Sequence, residues 1–169
     1  MSNTQKITPA EESWQMDGVI SDGTEQFLTF ELNGENYGVE ILRVQEIRGW
    51  DKTTPIPQSP PYLCGVLNLR GAIVPIVDLR LFFEMPFKSY SSTTVVIVLK
   101  LEGDAQRTVG VVVDAVSDAE DIALKDIKAT PNLGSAVNTK YIKGIANVDD
   151  ELLMLLDIDK LLSLESILS

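Results

Sequence analysis

The chain has 169 residues, a formal net charge of −11 at neutral pH, no histidine and one cysteine. Hydrophobic residues at 44% and charged residues at 23% describe a globular protein, long enough for one compact domain or two very small ones without a metal or disulfide. The missing histidine removes Ser-His-Asp and Cys-His triads, His-ligated zinc or haem, and an imidazole pH switch. The single thiol, Cys64, removes an intrachain disulfide and a multi-cysteine metal cluster. The acidic balance argues against nucleic acid and against an anionic membrane surface. Aliphatic runs such as Val95–Leu99 and Leu152–Leu156 fall far short of the roughly 18 residues that span a bilayer. The N-terminus has no apolar signal-peptide core, so a soluble cytoplasmic protein is expected.

Residues 1–24 are polar and acidic and read as a disordered tail, with Trp14 and Met16 as its apolar exceptions. From Phe27 the pattern becomes period two. Leu28, Phe30 and Leu32 alternate with polar residues, Asn33-Gly34 supplies the positive-φ turn, and Tyr37, Val39 and Ile41 continue a second strand. Val44–Arg48 reads as a third strand, on which Val44, Glu46 and Arg48 share a face. Residues 51–61, with four prolines, form a loop. Ser59-Pro60-Pro61 is expected to start a short helix through about Gly65. Val66–Leu69, the Arg70-Gly71 turn and Ala72–Val77 make another hairpin, with Pro75 at an edge or bulge. Asp78 is placed to cap a short helix, Leu79–Phe83.

The chain then repeats itself. Residues 62–82, YLCGVLNLRGAIVPIVDLRLF, align without a gap on residues 141–161, YIKGIANVDDELLMLLDIDKL, at an offset of 79. Tyr62, Gly65, Asn68 and Asp78 meet Tyr141, Gly144, Asn147 and Asp157. More weakly, Phe30–Val44 lies on Glu102–Val116 at an offset of 72, with Gly38 on Gly110. Repeat units of about 27–90 and 95–162 imply two related small β-subdomains with few helices. Residues that recur are read as structural. Arg70 faces Asp149 and does not recur, which makes it a candidate for function.

No phosphate loop, dinucleotide fingerprint or nucleophile elbow is present. Asp78 and Asp157, at equivalent strand-to-helix junctions, read as caps rather than a general acid–base pair. Cys64 reads as a buried, inert thiol rather than a nucleophile. Asp118-Ala-Glu120-Asp121 reads as a solvated loop, since it lacks the ligand alternation and glycine of a calcium loop. No catalytic residue, metal or cofactor is expected. What remains is recognition, centred on two scarce arginines, Arg48 and Arg70, in an acidic chain.

At VQEIRG, GVLNLRGAIVPIVDLR and GVVVDAVSD, in this order and spacing, the sequence resembles the CheW family of chemotaxis adaptors from about Glu25 to Leu162. The resemblance implies a mainly β fold of two packed five-stranded SH3-like barrels that exchange segments, in a CheW-like domain covering 25–164. It implies a non-catalytic adaptor between chemoreceptor cytoplasmic tips and the regulatory domain of the histidine kinase CheA, at receptor arrays on the inner face of the membrane but without direct membrane contact. Carried over residue by residue, Val44, Glu46, Gly65 and Arg70 match positions of a receptor-helix groove between the barrels. Gly110 and Val116, on the GVVVDAV strand, match its far side, and Glu46 and Arg70 match the family's paired charges. A second kinase contact resembles Lys128, Asn132 and Leu133, although an acidic residue is often found at the Asn132 position and an aromatic at that of Leu133. A related surface-motility or biofilm pathway and a small β-barrel ligand-binding protein are the alternatives.

Overall fold

The computed structural model describes residues 23–86, 89–102, 107–129 and 139–163. Its strands are β1 (Thr24–Leu32), β2 (Glu35–Glu40), β3 (Val44–Gly49), β4 (Leu63–Leu69), β5 (Ala72–Asp78), β6 (Val95–Leu101), β7 (Arg107–Val113), β8 (Ala115–Ala123), β9 (Ile142–Val148) and β10 (Glu151–Leu156). Two one-turn helices follow the late hairpins, α1 (Leu79–Phe82) and α2 (Ile158–Leu161). β1 starts at Thr24, one residue ahead of the expected domain start.

The strands form two five-stranded sheets, ordered β9-β10-β2-β1-β8 and β4-β5-β7-β6-β3. Each sheet takes the first two strands of one repeat and the last three of the other. Within each, a late hairpin lies parallel to an early strand, β10 on β2 and β5 on β7. The registers match across the repeat: Leu155 stands opposite Gly38 as Ile76 stands opposite Gly110. The 79-residue offset therefore holds through β4, β5 and α1, and the 72-residue offset from β2 onward. It does not hold for β1. Phe30 pairs with Tyr37 and Val116, and Leu99 pairs with Val109 and Val44, so Phe30 corresponds to Leu99 rather than Glu102. The β6–β7 connection is longer than the Asn33-Gly34 turn, which absorbs the difference.

One residue pair closes each sheet into a barrel. Past β3, Thr54 exchanges two backbone hydrogen bonds with Val66 of β4, at 3.0 and 2.9 Å. Past β8, Lys128 does the same with Ile145 of β9, at 2.8 and 2.9 Å. Gly65 and Gly144 sit beside these closures. A Cβ on Gly65, whose φ is +143°, would stand 2.3 Å from the Thr54 carbonyl oxygen. One on Gly144 would meet Ile127 at 2.6 Å.

The closed sheets need three cores. Leu28, Phe30, Leu32, Tyr37 and Val39 from one sheet meet Val77, Ile97, Leu99, Val109 and Val111 from the other in a shared core. Val74, Ile76, Val96, Val98 and Val112 fill the second barrel, and Phe27, Ile122, Ala146, Leu153 and Leu155 fill the first. Strands such as β6 are buried on both faces, which is why VVIVLKL runs apolar instead of alternating.

Several expected elements are corrected. Ser59-Pro60-Pro61 starts no helix. The Ser59 hydroxyl donates back to the Ile56 carbonyl, the Leu63 amide to Pro60, and β4 begins at Leu63. Residues Ile41–Arg43 form a 3-10 turn rather than the end of a strand, because the chain leaves the first sheet there. Pro75 lies in an interior strand, but just ahead of the β7 ladder that begins at Ile76, so its missing N–H breaks no pairing with β7. Asp118-Ala-Glu120-Asp121 is no loop; it belongs to edge strand β8. GVVVDAV is not one strand. It breaks at Asp114, with Gly110 in β7 of one sheet and Val116 in β8 of the other.

Both crossings between sheets are pinned by ion pairs. At Asp114 the pin is Arg80 of α1, 1% exposed, whose Nη1 donates to Asp114 Oδ1 at 2.9 Å. Its Nε and Nη2 fork onto the fully buried Asp78 carboxylate, both at 2.9 Å. Burial by itself would lower the guanidinium pKa, but the two carboxylates hold it above its usual value. At the other crossing Arg43, also buried, pairs with Asp159 of α2 and donates to the Lys100 carbonyl at 2.8 Å. Asp159 is the repeat equivalent of Arg80, and Arg43 lies within one residue of the equivalent of Asp114. The same joint is built twice with its charges exchanged.

Gly65→Ala is expected to cost about 2–3 kcal/mol, a Tm drop of roughly 4–12 °C, while Gly49→Ala, which meets nothing within 4 Å, stays within about 0.5 kcal/mol. Parallel thermal melts check this. Arg80→Met is expected to cost about 3–5 kcal/mol in urea titration, because it strands the Asp78 carboxylate away from water.

Candidate functional site

The β4–β5 turn is built from Arg70, φ 54°, and Gly71, φ 89°. Both central residues are left-handed, as in the tight hairpin turns that favour Asn, Asp and Gly. The two sister turns follow that preference, with Asn33 and Asp149 at the equivalent place. Arginine gains nothing from this backbone, so its presence reflects what its side chain does. The turn itself is held by Asn68, whose Oδ1 accepts from the Gly71 amide at 2.9 Å.

Arg70 is 77% exposed and donates from Nη1 to Glu46 Oε1 at 2.8 Å. On the other carboxylate oxygen, Arg48 Nη1 approaches Glu46 Oε2 at 3.5 Å. Two cations thus converge on one half-shielded carboxylate and leave a surplus positive charge. The repeat equivalents of Glu46, Arg48 and Arg70 are Asp118, Glu120 and Asp149. They line a pocket of about 230 Å³ on the first barrel, with Glu151 and Leu152. The scaffold is duplicated and the charge pattern is not.

The expected common face of Val44, Glu46 and Arg48 is corrected by a bulge at Gln45. Val44 pairs with Leu99 of the shared core, while Glu46 and Arg48 pair with Val98 and Val96 of the second barrel's core. Cross-strand partners share a face, so Val44 points to the side opposite the charges. Val116 is the repeat equivalent of Val44, and it too packs on the shared core. Gly65 and Gly110 are buried. Added Cβ atoms would meet Thr54 at the first, and Ile76 at 2.6 Å and Val96 at 2.9 Å at the second. Lys128 is exposed beside the closure of the first barrel. Asn132 and Leu133 lie outside the described residues, as do Trp14 and Met16.

Sequence reasoning missed a cluster at the second barrel. Trp50 and Tyr90 stack at 3.9 Å, and the Tyr90 hydroxyl donates to Asp78 Oδ2 at 3.2 Å and lies 3.9 Å from Cys64 Sγ. No local motif announces it, because its members come from four separate segments. Burial pushes the Cys64 thiol above its ordinary pKa, and the nearby Asp78 carboxylate adds to this. The tyrosine hydroxyl is likewise raised, by burial and then by Cys64 and Asp78. These groups hold their protons at neutral pH. Iodoacetamide is therefore expected to alkylate Cys64 at pH 8 about tenfold more slowly than a free cysteine peptide, with the rate still rising above pH 9.

Fold and site together define a class: a two-barrel SH3-like protein with one barrel distinguished by an arginine–carboxylate–arginine trio. Residues 26–166 match the CheW-like domain. The Chemotaxis protein CheW of Klebsiella aerogenes is 46% identical over 141 residues, covering 83% of both chains. That of Rhizobium meliloti is 34% identical over 140 residues, covering 83% of this chain and 88% of the relative. Among solved structures, the scaffolding protein TtCheW from Thermoanaerobacter tengcongensis superimposes with a TM-score of 0.75 at 28% identity, over 84% of this chain and 90% of that one. The chain belongs to the CheW-like family.

Proposed function

We propose that this protein is a non-catalytic, cytoplasmic adaptor of chemotaxis that couples chemoreceptor cytoplasmic tips to the regulatory domain of the histidine kinase CheA. Its relatives named for chemotaxis and a structural neighbour described as a scaffolding protein support the reading. The observation that carries it is Arg70. An arginine held in a left-handed turn against local preference, paired to Glu46 and replaced by Asp149 in the sister barrel, is a residue kept for a partner.

In this reading Glu46 and Arg70 form the charged wall of the receptor site, and Val44 and Val116 contribute apolar contact from the shared-core side. Gly65 and Gly110 act indirectly, by allowing the second barrel to close and pack. Lys128, Asn132 and Leu133 belong to a separate kinase contact. Small contacts of moderate affinity gain strength by multivalent assembly.

Arg70→Glu is expected to weaken binding of a receptor cytoplasmic fragment at least about tenfold, with CheA affinity and Tm little changed, since the side chain is exposed. Exchanging the charges, Glu46→Arg with Arg70→Glu, is expected to restore part of the loss. Titration calorimetry against both partners measures this. Wild-type receptor affinity in Arg70→Glu would sink the assignment.

A further inference from the structure

Arg48 carries the least settled polar group near the trio. Its Nη1 is turned toward Glu46 at 3.5 Å, too long for a strong charge-assisted bond. Its Nε is shielded from water and has no hydrogen-bond partner, the one such side-chain atom among the described residues. With Nη1 on Glu46, the opposite Nε–Nη2 edge makes no hydrogen bond among the described residues. That edge is the planar two-donor fork that matches a carboxylate. A buried donor left unsatisfied is costly, and native proteins seldom leave one without a reason.

Among the described residues no acceptor bonds it. Glu46 already serves Arg70 at 2.8 Å through its other oxygen. The side chain as a whole is 36% exposed, so a group from outside can reach the guanidinium. The local charge is also unbalanced, two arginines against one carboxylate, in a protein of net charge −11. An anionic group from outside would satisfy both the fork and the surplus charge.

We propose that Arg48 reads an acidic side chain, Asp or Glu, of the docked partner segment, taking its carboxylate on the Nε–Nη2 edge. This inference rests on the trio being the receptor-binding wall. Glu46 then has two tasks. It holds Arg70 in place, and it engages Nη1 of Arg48, which leaves the Nε–Nη2 edge for the incoming carboxylate. Arg48 is the specificity-determining cation of the pair: it demands a planar anion, where Arg70 is already neutralised within the chain. Lysine at this position keeps the charge and loses the fork.

The test uses the full chain and a soluble fragment of a chemoreceptor cytoplasmic tip. Arg48→Lys is expected to weaken binding about tenfold with Tm within about 2 °C of wild type. In a fragment series with each tip Asp and Glu changed singly to Asn or Gln, one change is expected to erase the difference between wild type and Arg48→Lys. If Arg48→Lys binds as wild type while Arg70→Glu does not, the inference fails and the receptor-site reading stands. If neither change matters, both fail. A Tm drop above about 5 °C in Arg48→Lys, or a tenfold difference that survives every acid substitution, assigns Arg48 to the fold and overturns the proposal.

Discussion

Reciprocal exchange is the constraint on which this structure depends. Each repeat builds two strands into one sheet and three into the other, so the chain must cross between sheets once per repeat. At both crossings a buried arginine meets an aspartate, Arg80 with Asp114 and Arg43 with Asp159. The joint also gathers the hairpins. Asp114 accepts the Asn33 amide at 2.8 Å and Asp159 accepts the Glu102 amide at 3.0 Å. An uncompensated charge would be expensive at either site, and the pairing lets the chain turn where β-strand continuity is lost. Exchanging the polarity between the two joints keeps each arginine matched to its own aspartate.

On this duplicated frame, function is written by departure from symmetry. The closures, caps, packing glycines and turn geometry occur twice. Glu46 with Arg48 and Arg70 occurs once, and its counterpart is a set of acids. The two barrels can therefore present different chemistry to different partners without any change in backbone. The left-handed φ of Arg70 shows the direction of the compromise, since the turn tolerates a poor residue so that a guanidinium can reach Glu46.

Much of this was legible in the residues. The Tyr62-to-Phe82 segment and its copy predicted β4, β5 and α1 against β9, β10 and α2, and the Asp78 and Asp157 caps, because hairpins and caps are local devices. The non-recurrence of Arg70 pointed to the charged trio for a similar reason. What local pattern could not carry was exchange and parity. GVVVDAV looks like one strand because every residue is buried or half-buried on both sides of the break at Asp114. The Gln45 bulge changes which face Val44 occupies without any proline or glycine to mark it. Cys64, Trp50, Tyr90 and Asp78 meet only through tertiary closure.

The parallel pairing of β10 on β2 also has a consequence for synthesis. β2 leaves the ribosome early, but the strand that covers its open edge is completed roughly 110 residues later. At roughly 5–20 residues per second, that edge waits on the order of 6–20 s. During this time an apolar strand pair has unpaired backbone groups and no barrel to enter, the condition under which strands find neighbours on other chains. Because each sheet draws strands from both halves of the chain, neither half holds a complete sheet, and the length of this exposure is set by the speed of translation.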